Sequence, residues 1–194
     1  MWIGLVGSEM CIRDSFRLVK PIYRSGRIFC FLASVGHYHD VGGNVPGNYN
    51  PAATESFQEG VLIPPVKLFK GGVLQQDIID IMSANSRLPG SLYGDLNGQI
   101  NALDLGTKRL NELLEQYGEE LVHEATVELK ARASKLMRAY ISRLPDGEFE
   151  AVDWLDNDGI SDDPLKIKIK LKISGEKMIL DFSDTSPACL GPVN

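Results

Sequence analysis

The 194-residue sequence has few cysteines, no excess of basic residues and no long apolar run, and each absence excludes a class of protein. Its three cysteines are too few and too far apart for a disulfide scaffold or a thiolate metal site. The formal net charge is −6, so a nucleic-acid partner is not expected. No segment approaches the roughly 18 consecutive apolar residues that span a membrane. The composition predicts an acidic, cytoplasmic protein.

Familiar nucleotide and hydrolase motifs are also missing. The sequence contains no G-x-x-x-x-G-K-[ST] phosphate loop, no G-x-G-x-x-G dinucleotide loop and no G-x-S-x-G nucleophile turn. If the protein uses ATP, this chain does not hold the nucleotide in one of these loops.

The N-terminal residues 1–15 are predicted to be a leader that is foreign to the protein. Residues 4–15, GLVGSEMCIRDS, look like translated sequencing-adapter read-through, and the alternative is a genuine apolar first strand. At the other end the sequence stops without a polar tail. We therefore interpret residues 16–194 as an internal fragment of a longer protein.

The most informative stretch places two histidines and an aspartate directly before a glycine turn. Residues 28–35 form a short apolar run that predicts a buried strand, and His37, His39 and Asp40 follow it. His37 and Asp40 offer one nitrogen and one oxygen ligand, which suits manganese, iron or zinc better than calcium. Alternatively, both side chains only hydrogen-bond the turn at Gly42 and Gly43. His39 is a weaker candidate, as a contact to a ligand or to substrate.

Other polar residues could contact a substrate. Asn85, Arg87 and Asp95 lie in a segment broken by proline and glycine, where Arg87 and Asp95 could position a carboxylate or carbonyl. Asp95 could equally cap a helix. Glu55 and Glu59 are possible acid or base groups, although exposed glutamates are the usual case.

The periodicity of apolar residues predicts an α+β fold, with antiparallel hairpins packed with two long helices. A short helix is expected to end near Asn85, and a longer one to begin near residues 93–95 and end at Tyr117, with a possible break at Gly106. A second long helix is predicted from Glu119 to Arg143, with a stripe expected to be buried: Val122, Ala125, Leu129, Ala133, Leu136, Tyr140 and Leu144.

Beyond Gly147 the period changes to strict alternation, which predicts strands. Four lysines at positions 166, 168, 170 and 172 alternate with apolar residues. This row could bind an anion, but a solvated sheet face is the favoured interpretation. Asp156-Asn157-Asp158-Gly159 resembles the start of a calcium loop, yet Ile167 stands where the motif needs glutamate, so we expect a turn.

Taken together, these motifs resemble the hydantoinase B/oxoprolinase family. The stretches that carry the resemblance occur in the family's order and cover residues 16–194: HYHDVGG (37–43), PG (46–47), QEGVLIPPVKL (58–68), NSR (85–87), GDLNGQI (94–100), LPDG (144–147), DNDG (156–159) and DFSDTS (181–186). One departure is Asn48, where the family commonly has serine.

The resemblance implies a B-type subunit of an ATP-dependent amidohydrolase that opens a hydantoin or 5-oxoproline ring. It implies that an A-type partner holds the ATP and that the substrate is a small cyclic amide. It also places His37 and Asp40 on the ligand pattern of a manganese- or zinc-type ion, which would polarise a carbonyl and activate a water. We expect the fragment to be inactive alone. The alternatives are a B-like subunit of a ketone carboxylase and a non-catalytic assembly subunit.

Overall fold

The computed structural model describes residues 2–4 and 15–193, in which three α-helices and nine short or medium β-strands alternate. Every strand pair is antiparallel, which confirms the α+β fold. The helices are α1 (Gln76–Ala84), α2 (Pro89–Tyr117) and α3 (Glu119–Ile141). The strands are β1 (Trp2–Gly4), β2 (Ser15–Arg24), β3 (Arg27–His37), β4 (Val66–Lys67), β5 (Phe69–Lys70), β6 (Val73–Leu74), β7 (Gly147–Leu155), β8 (Leu165–Ser174) and β9 (Lys177–Asp181).

The chain divides into two compact units, which we describe separately. The first comprises Met1–Asn111 with Gly191–Asn194, and the second comprises Glu112–Leu190. The predicted leader falls in the first unit. Its residues 5–14 lie outside the described part of the chain, and residues 2–4 pair with β2 and β4. The assignment of residues 1–15 as foreign stays a prediction.

In the first unit a four-stranded sheet, in the order β3-β2-β1-β4, supplies one wall of the core. Phe16 and Leu18 on β2 are fully buried, because alternate residues of the strand face the core. They cluster with apolar residues of the loops, α1 and α2: Tyr38, Val41, Ile63, Leu68, Ile79, Met82, Leu92, Leu96 and Leu103. This core fixes the position of α2 relative to the end of β3.

Strand β3 is an edge strand, so the prediction that it is buried was wrong in part. Ile28, Phe31 and Val35 are each about half exposed, while Leu32 on the other face is partly buried. Only one face of an edge strand packs on the core, and the apolar run by itself does not reveal that the second face is uncovered.

Helix α2 approaches the inner face of β3 closely at two glycines. A Cβ on Gly36 would lie 3.0 Å from Nε2 of Gln99, and one on Gly106 would lie 3.3 Å from Cδ1 of Leu32. The break considered at Gly106 does not occur, since α2 continues through it. Gly106 therefore permits close packing against the sheet rather than ending the helix.

The second unit contains a three-stranded sheet in the order β7-β8-β9, as the alternating pattern predicts. The lysine row is the solvated face and is neutralised by acidic partners. Lys172 pairs with Glu148 at 2.6 Å, Lys168 with Glu150 at 2.9 Å and Lys170 with Asp184 at 2.6 Å. These pairs confirm the favoured interpretation over an anion site.

Two further predictions for this unit have different outcomes. The Asp156–Gly159 stretch is a turn, in which the buried Asp158 carboxylate accepts the N–H groups of Ile160 and Ser161. Helix α3 forms as predicted, but its apolar stripe is not buried: from Ala125 to Tyr140 every side chain is exposed, and Ile141 is the buried residue of this helix.

Candidate functional site

The predicted site centres on Asp40, whose carboxylate is buried and fully engaged. Oδ1 accepts the backbone N–H groups of Gly42 at 3.1 Å and Arg87 at 3.0 Å. Oδ2 accepts the N–H of Gly47 at 3.2 Å and the guanidinium Nη1 of Arg87 at 3.0 Å. Because a carboxylate has about four acceptor positions, all of them are occupied here.

Arg87 joins this carboxylate to the glycine-rich loop that follows it. Its Nη2 donates to the carbonyl of Gly43 at 2.9 Å, and Nη1 also reaches the carbonyl of Val45 at 3.3 Å. The preceding residue, Ser86, donates its hydroxyl to the carbonyl of Asp40 at 2.7 Å. The segment just before α2 therefore fixes the loop of residues 40–47, which we call the Asp40 loop.

These contacts set the ionisation of Asp40. Burial pushes the pKa of Asp40 upward, but hydrogen bonds from the Arg87, Gly42 and Gly47 backbone and from the Arg87 guanidinium outweigh burial and lower the pKa below its usual value. Asp40 is thus a permanently charged group that organises its own loop.

Glycine is needed at two positions of the Asp40 loop. Gly42 and Gly43 have φ angles of 92° and 88°, and a Cβ would lie 2.8 Å from the Asn85 carbonyl oxygen or 2.6 Å from that of Gln58. Just beyond the loop, Asn48 has φ 63° and clamps the chain, because it accepts from the N–H of Val41 and donates to the carbonyl of Tyr38. This supports the expectation that the glycines form a fixed turn.

His37 and Tyr38 lie in different surroundings although they are consecutive. His37 is exposed at the end of β3, and its Nδ1 lies 2.8 Å from the hydroxyl of Ser15, its partner in the β2–β3 register. Tyr38 is buried, where its ring meets Phe16 edge-on and its hydroxyl donates to Oε1 of Gln99 at 2.5 Å. Gln99 in turn donates to the carbonyl of Phe16 at 3.0 Å.

His39 and Asp95 lie at the start of α2. His39 Nδ1 is 3.2 Å from the hydroxyl of Ser91, and both His39 and Asp95 are exposed. Within the described part of the chain, the Asp95 carboxylate accepts no hydrogen bond. Burial first, and then the negative charge of Asp95, raise the pKa of Tyr38 far above its usual value. Since α2 begins at Pro89, Asp95 lies inside the helix and the N-cap alternative was wrong.

The remaining candidates are separate from this cluster or hold local structure. The Asn85 amide donates to the carbonyl of Ile81 at the end of α1. Glu55 is exposed before a 3₁₀ turn, and Glu59 is partly buried. Sequence reasoning missed Gln99 and Ser91, because each acts through a contact to a residue more than 50 positions away.

The described residues, 2–4 and 15–193, do not form a cluster of three or more His, Cys, Asp or Glu side chains that could hold an ion. Moreover, Asp40 has no acceptor position open while Arg87 and the three backbone N–H groups bind it. As arranged, these residues do not fit an ion. The role of His37 and Asp40 as ligands stays a prediction, and it requires at least one donor to leave Asp40.

The fold is that of large ATP-dependent enzymes. The structure superposes on the ATP-dependent caprolactamase of Pseudomonas jessenii with a TM-score of 0.82 at 32% identity, over 92% of this chain and 31% of that one. A nucleotide-free acetone carboxylase has the same fold, with a TM-score of 0.83 at 17% identity over 95% of this chain and 26% of that one.

The chain belongs to the hydantoinase B/oxoprolinase family, whose model matches residues 14–194. It is 36% identical over 160 residues to the beta subunit of the caprolactamase of Pseudomonas jessenii, covering 82% of this chain and 28% of that protein. It is 33% identical over 172 residues to a Pseudomonas protein named as the B-type component of a D-/L-hydantoinase, covering 86% and 29%. The chain thus spans less than a third of the length of these relatives.

The same comparisons bear out the general activity expected from the sequence. Relatives of this chain are cyclic-amide hydrolases, including a 5-oxoprolinase of Dictyostelium discoideum that is 30% identical over 91% of this chain and 14% of that protein. Two of the relatives are named as beta or B subunits, which indicates a partner protein. Among the described residues, none of the helices combines the length and apolar character needed to cross a membrane.

Proposed function

We propose that this chain is part of the B-type subunit of an ATP-coupled enzyme that opens a hydantoin or 5-oxoproline ring. The observation that supports this most directly is the family match over residues 14–194, together with relatives named as a caprolactamase and a hydantoinase. Cytoplasmic location remains part of this proposal.

The residues at the start of α2 are the proposed contacts to substrate. The Asp95 carboxylate is exposed and accepts no hydrogen bond from the described residues, so it can accept the ring N–H of a cyclic amide. His39 presents an imidazole beside the Ser91 hydroxyl and can hold or release a proton there. Arg87 acts differently from the original expectation, because its guanidinium binds the Asp40 loop and so positions that loop beside α2.

ATP is proposed to bind to an A-type partner. The chain has none of the phosphate-binding loops sought in its sequence. The partner would activate the amide by phosphorylation, and the residues described here would orient the activated ring. The 194-residue chain is accordingly expected to be inactive by itself.

An ion of manganese or zinc type at His37 and Asp40 is a separate part of the proposal. When bound, such an ion would polarise a carbonyl oxygen or activate a water. Because Asp40 is fully engaged, we assign no step of the reaction to the ion. Metal analysis of the intact complex with His37→Ala and with Asp40→Asn tests this part: loss of one equivalent of metal in both variants supports it, and unchanged metal content in both contradicts it.

The decisive experiment uses the intact B-type subunit with its A-type partner, ATP and either hydantoin or 5-oxoproline. We expect ring opening, and Asp95→Asn should lower kcat/KM at least about 10-fold, a loss of about 1.4 kcal/mol in transition-state binding. Asp77→Asn on the exposed side of α1 is the matched control and should leave kcat/KM unchanged. Ring opening that is unaffected by Asp95→Asn would contradict the assignment of Asp95.

A ketone carboxylase is the second candidate, favoured by one specific finding. The acetophenone carboxylase delta subunit of Aromatoleum aromaticum is 27% identical over 90% of this chain and 26% of that protein. Labelled bicarbonate added to the intact complex with a ketone distinguishes the two reactions. Incorporation of the label into a carboxylic acid supports carboxylation, whereas ring opening without incorporation supports hydrolysis.

A further inference from the structure

The apolar stripe of helix α3 is uncovered, although its spacing is that of a buried face. We call Val122, Ala125, Leu129, Ala133, Leu136 and Tyr140 the α3 stripe. These residues recur every three or four positions and therefore lie on one side of the helix. Yet the side chains of Leu129, Leu136 and Tyr140 are 68%, 72% and 63% exposed. Isolated helices gain little stability in water, so such a stripe is typical of a helix that packs against something.

A second apolar surface lies in the same unit. The β7–β8–β9 register places Phe149, Leu171 and Leu180 side by side, and Asp153 opposite Ile167, on the face away from the lysine row. Phe149, Ile167 and Leu180 are 43%, 38% and 52% exposed. A sheet with charge pairs on one face and uncovered apolar residues on the other normally packs on another layer.

The comparisons indicate what covers these surfaces. Residues of this chain correspond to only 28% and 31% of the caprolactamase chains that share its sequence and fold. The same helix and sheet thus occur in proteins that contain more than twice as much further polypeptide. The stripe itself carries no charge, which suits an apolar layer of that polypeptide rather than a charged ligand.

We propose that the α3 stripe is the docking face for an apolar layer of the same family domain, supplied by polypeptide outside the region that corresponds to this chain. The occupant is a protein segment of the B-type subunit itself, not a second copy of this chain and not the A-type partner. The uncovered face of the β7–β8–β9 sheet is expected to be part of the same buried layer.

The test compares one pair of substitutions in two contexts. The stripe variant is Leu129→Glu with Leu136→Glu, and the control is Ala131→Glu with Ser134→Glu, on the opposite side of α3. One context is the 194-residue chain. The other is the beta subunit of the Pseudomonas jessenii caprolactamase, in which the corresponding region is replaced by residues 16–190 of this chain. Circular dichroism melting and light scattering give the stability and the mass of each protein.

We expect the stripe variant to leave the melting temperature of the 194-residue chain within about 2 °C, because both leucines are exposed there. In the chimaera the same variant should lower the melting temperature by at least about 5 °C or abolish folding, whereas the control should not. These results would support the proposal.

Three outcomes would overturn the proposal. Equal melting temperatures of the stripe and control chimaeras would show that the stripe is not buried there. A dimeric 194-residue chain that becomes monomeric with the stripe variant would assign the face to a second copy. A chimaera that folds with both variants but loses only its binding to the A-type partner with the stripe variant would assign the face to that partner. Failure of the unsubstituted chimaera to fold would also count against the proposal, since a matching face tolerates the exchange.

Discussion

Asp40 and Arg87 are joined from two directions although 47 positions separate them. The Arg87 backbone N–H donates to Oδ1 of Asp40 at 3.0 Å, and its guanidinium Nη1 donates to Oδ2 at 3.0 Å. The Asp40 side chain is 2% exposed and that of Arg87 is 42% exposed. The pair therefore joins a buried charge to a partner that still reaches the surface, and it fixes the start of α2 to the end of β3.

Replacing Asp40 with asparagine should destabilise the protein by about 3 kcal/mol. The asparagine NH₂ group would face N–H donors that now meet a carboxylate, and the buried attraction to the guanidinium would be lost. Urea unfolding monitored by circular dichroism measures the change. Asp162→Asn is the control, because Asp162 is exposed in a loop of the second unit and should shift the free energy by less than about 0.5 kcal/mol. A stability equal to that of the control would contradict the role of Asp40.

The same carboxylate should make stability depend on pH in the acid range. The pKa of Asp40 is lower in the folded protein than the ordinary value of 3.8, so the folded state binds a proton less readily than the unfolded state. Its contribution is complete above pH 3.8 and is lost as the pH falls through the lowered folded pKa. Urea midpoints at about pH 6 and about pH 3 test this: the difference between the parent and Asp40→Asn should shrink at the lower pH. A constant difference would show that ionisation of Asp40 does not stabilise the fold.

Removing the Tyr38 hydroxyl should cost about 1–2 kcal/mol. In Tyr38→Phe the buried Oε1 of Gln99 loses the donor that now lies 2.5 Å away, and a buried acceptor left unpaired is unfavourable. Thermal unfolding followed by circular dichroism gives the change. Tyr49→Phe, at a tyrosine that is 78% exposed, should leave the melting temperature unchanged. If the two variants melt together, the Tyr38–Gln99 bond contributes nothing.

Alanine should be tolerated far less at Gly43 than at Gly71. Both glycines have positive φ, 88° and 56°, so either substitution strains the backbone by about 1 kcal/mol. At Gly43 the new Cβ would also lie 2.6 Å from the carbonyl oxygen of Gln58, whereas nothing lies within 4 Å at Gly71. We expect Gly43→Ala to cost at least about 2 kcal/mol more than Gly71→Ala in urea unfolding. Equal costs would mean that the loop moves away from Gln58 without penalty.

Much of the secondary structure could be predicted because it depends on neighbours in the sequence. Helix α3 begins at Glu119 as expected, and the alternation of lysines with apolar residues predicted β8 correctly. The start of α2 was placed several residues late, since the glycines at 90, 94 and 98 weaken the helical signal. Boundaries of this kind depend on packing as well as on local preference.

The site was predicted in part. The glycine turn beside Asp40 was recognised, and hydrogen bonding of that turn was one of the two alternatives. The carboxylate's other partner, Arg87, was instead assigned to substrate, because no local pattern indicates a contact across 47 positions. Gln99 was overlooked for the same reason, as its partners Tyr38 and Phe16 are 61 and 83 positions away.

The sequence by itself determined the order of helices and strands, the glycine turn after Asp40 and the membership of a family, because periodicity, turn residues and ordered motifs are local properties. Only the tertiary structure decided that Asp40 is filled by Arg87 and three backbone N–H groups. It also decided that the α3 stripe is uncovered within the described residues. The physical reason is the same in both cases: which groups become neighbours, and which lose water, depends on how distant segments pack.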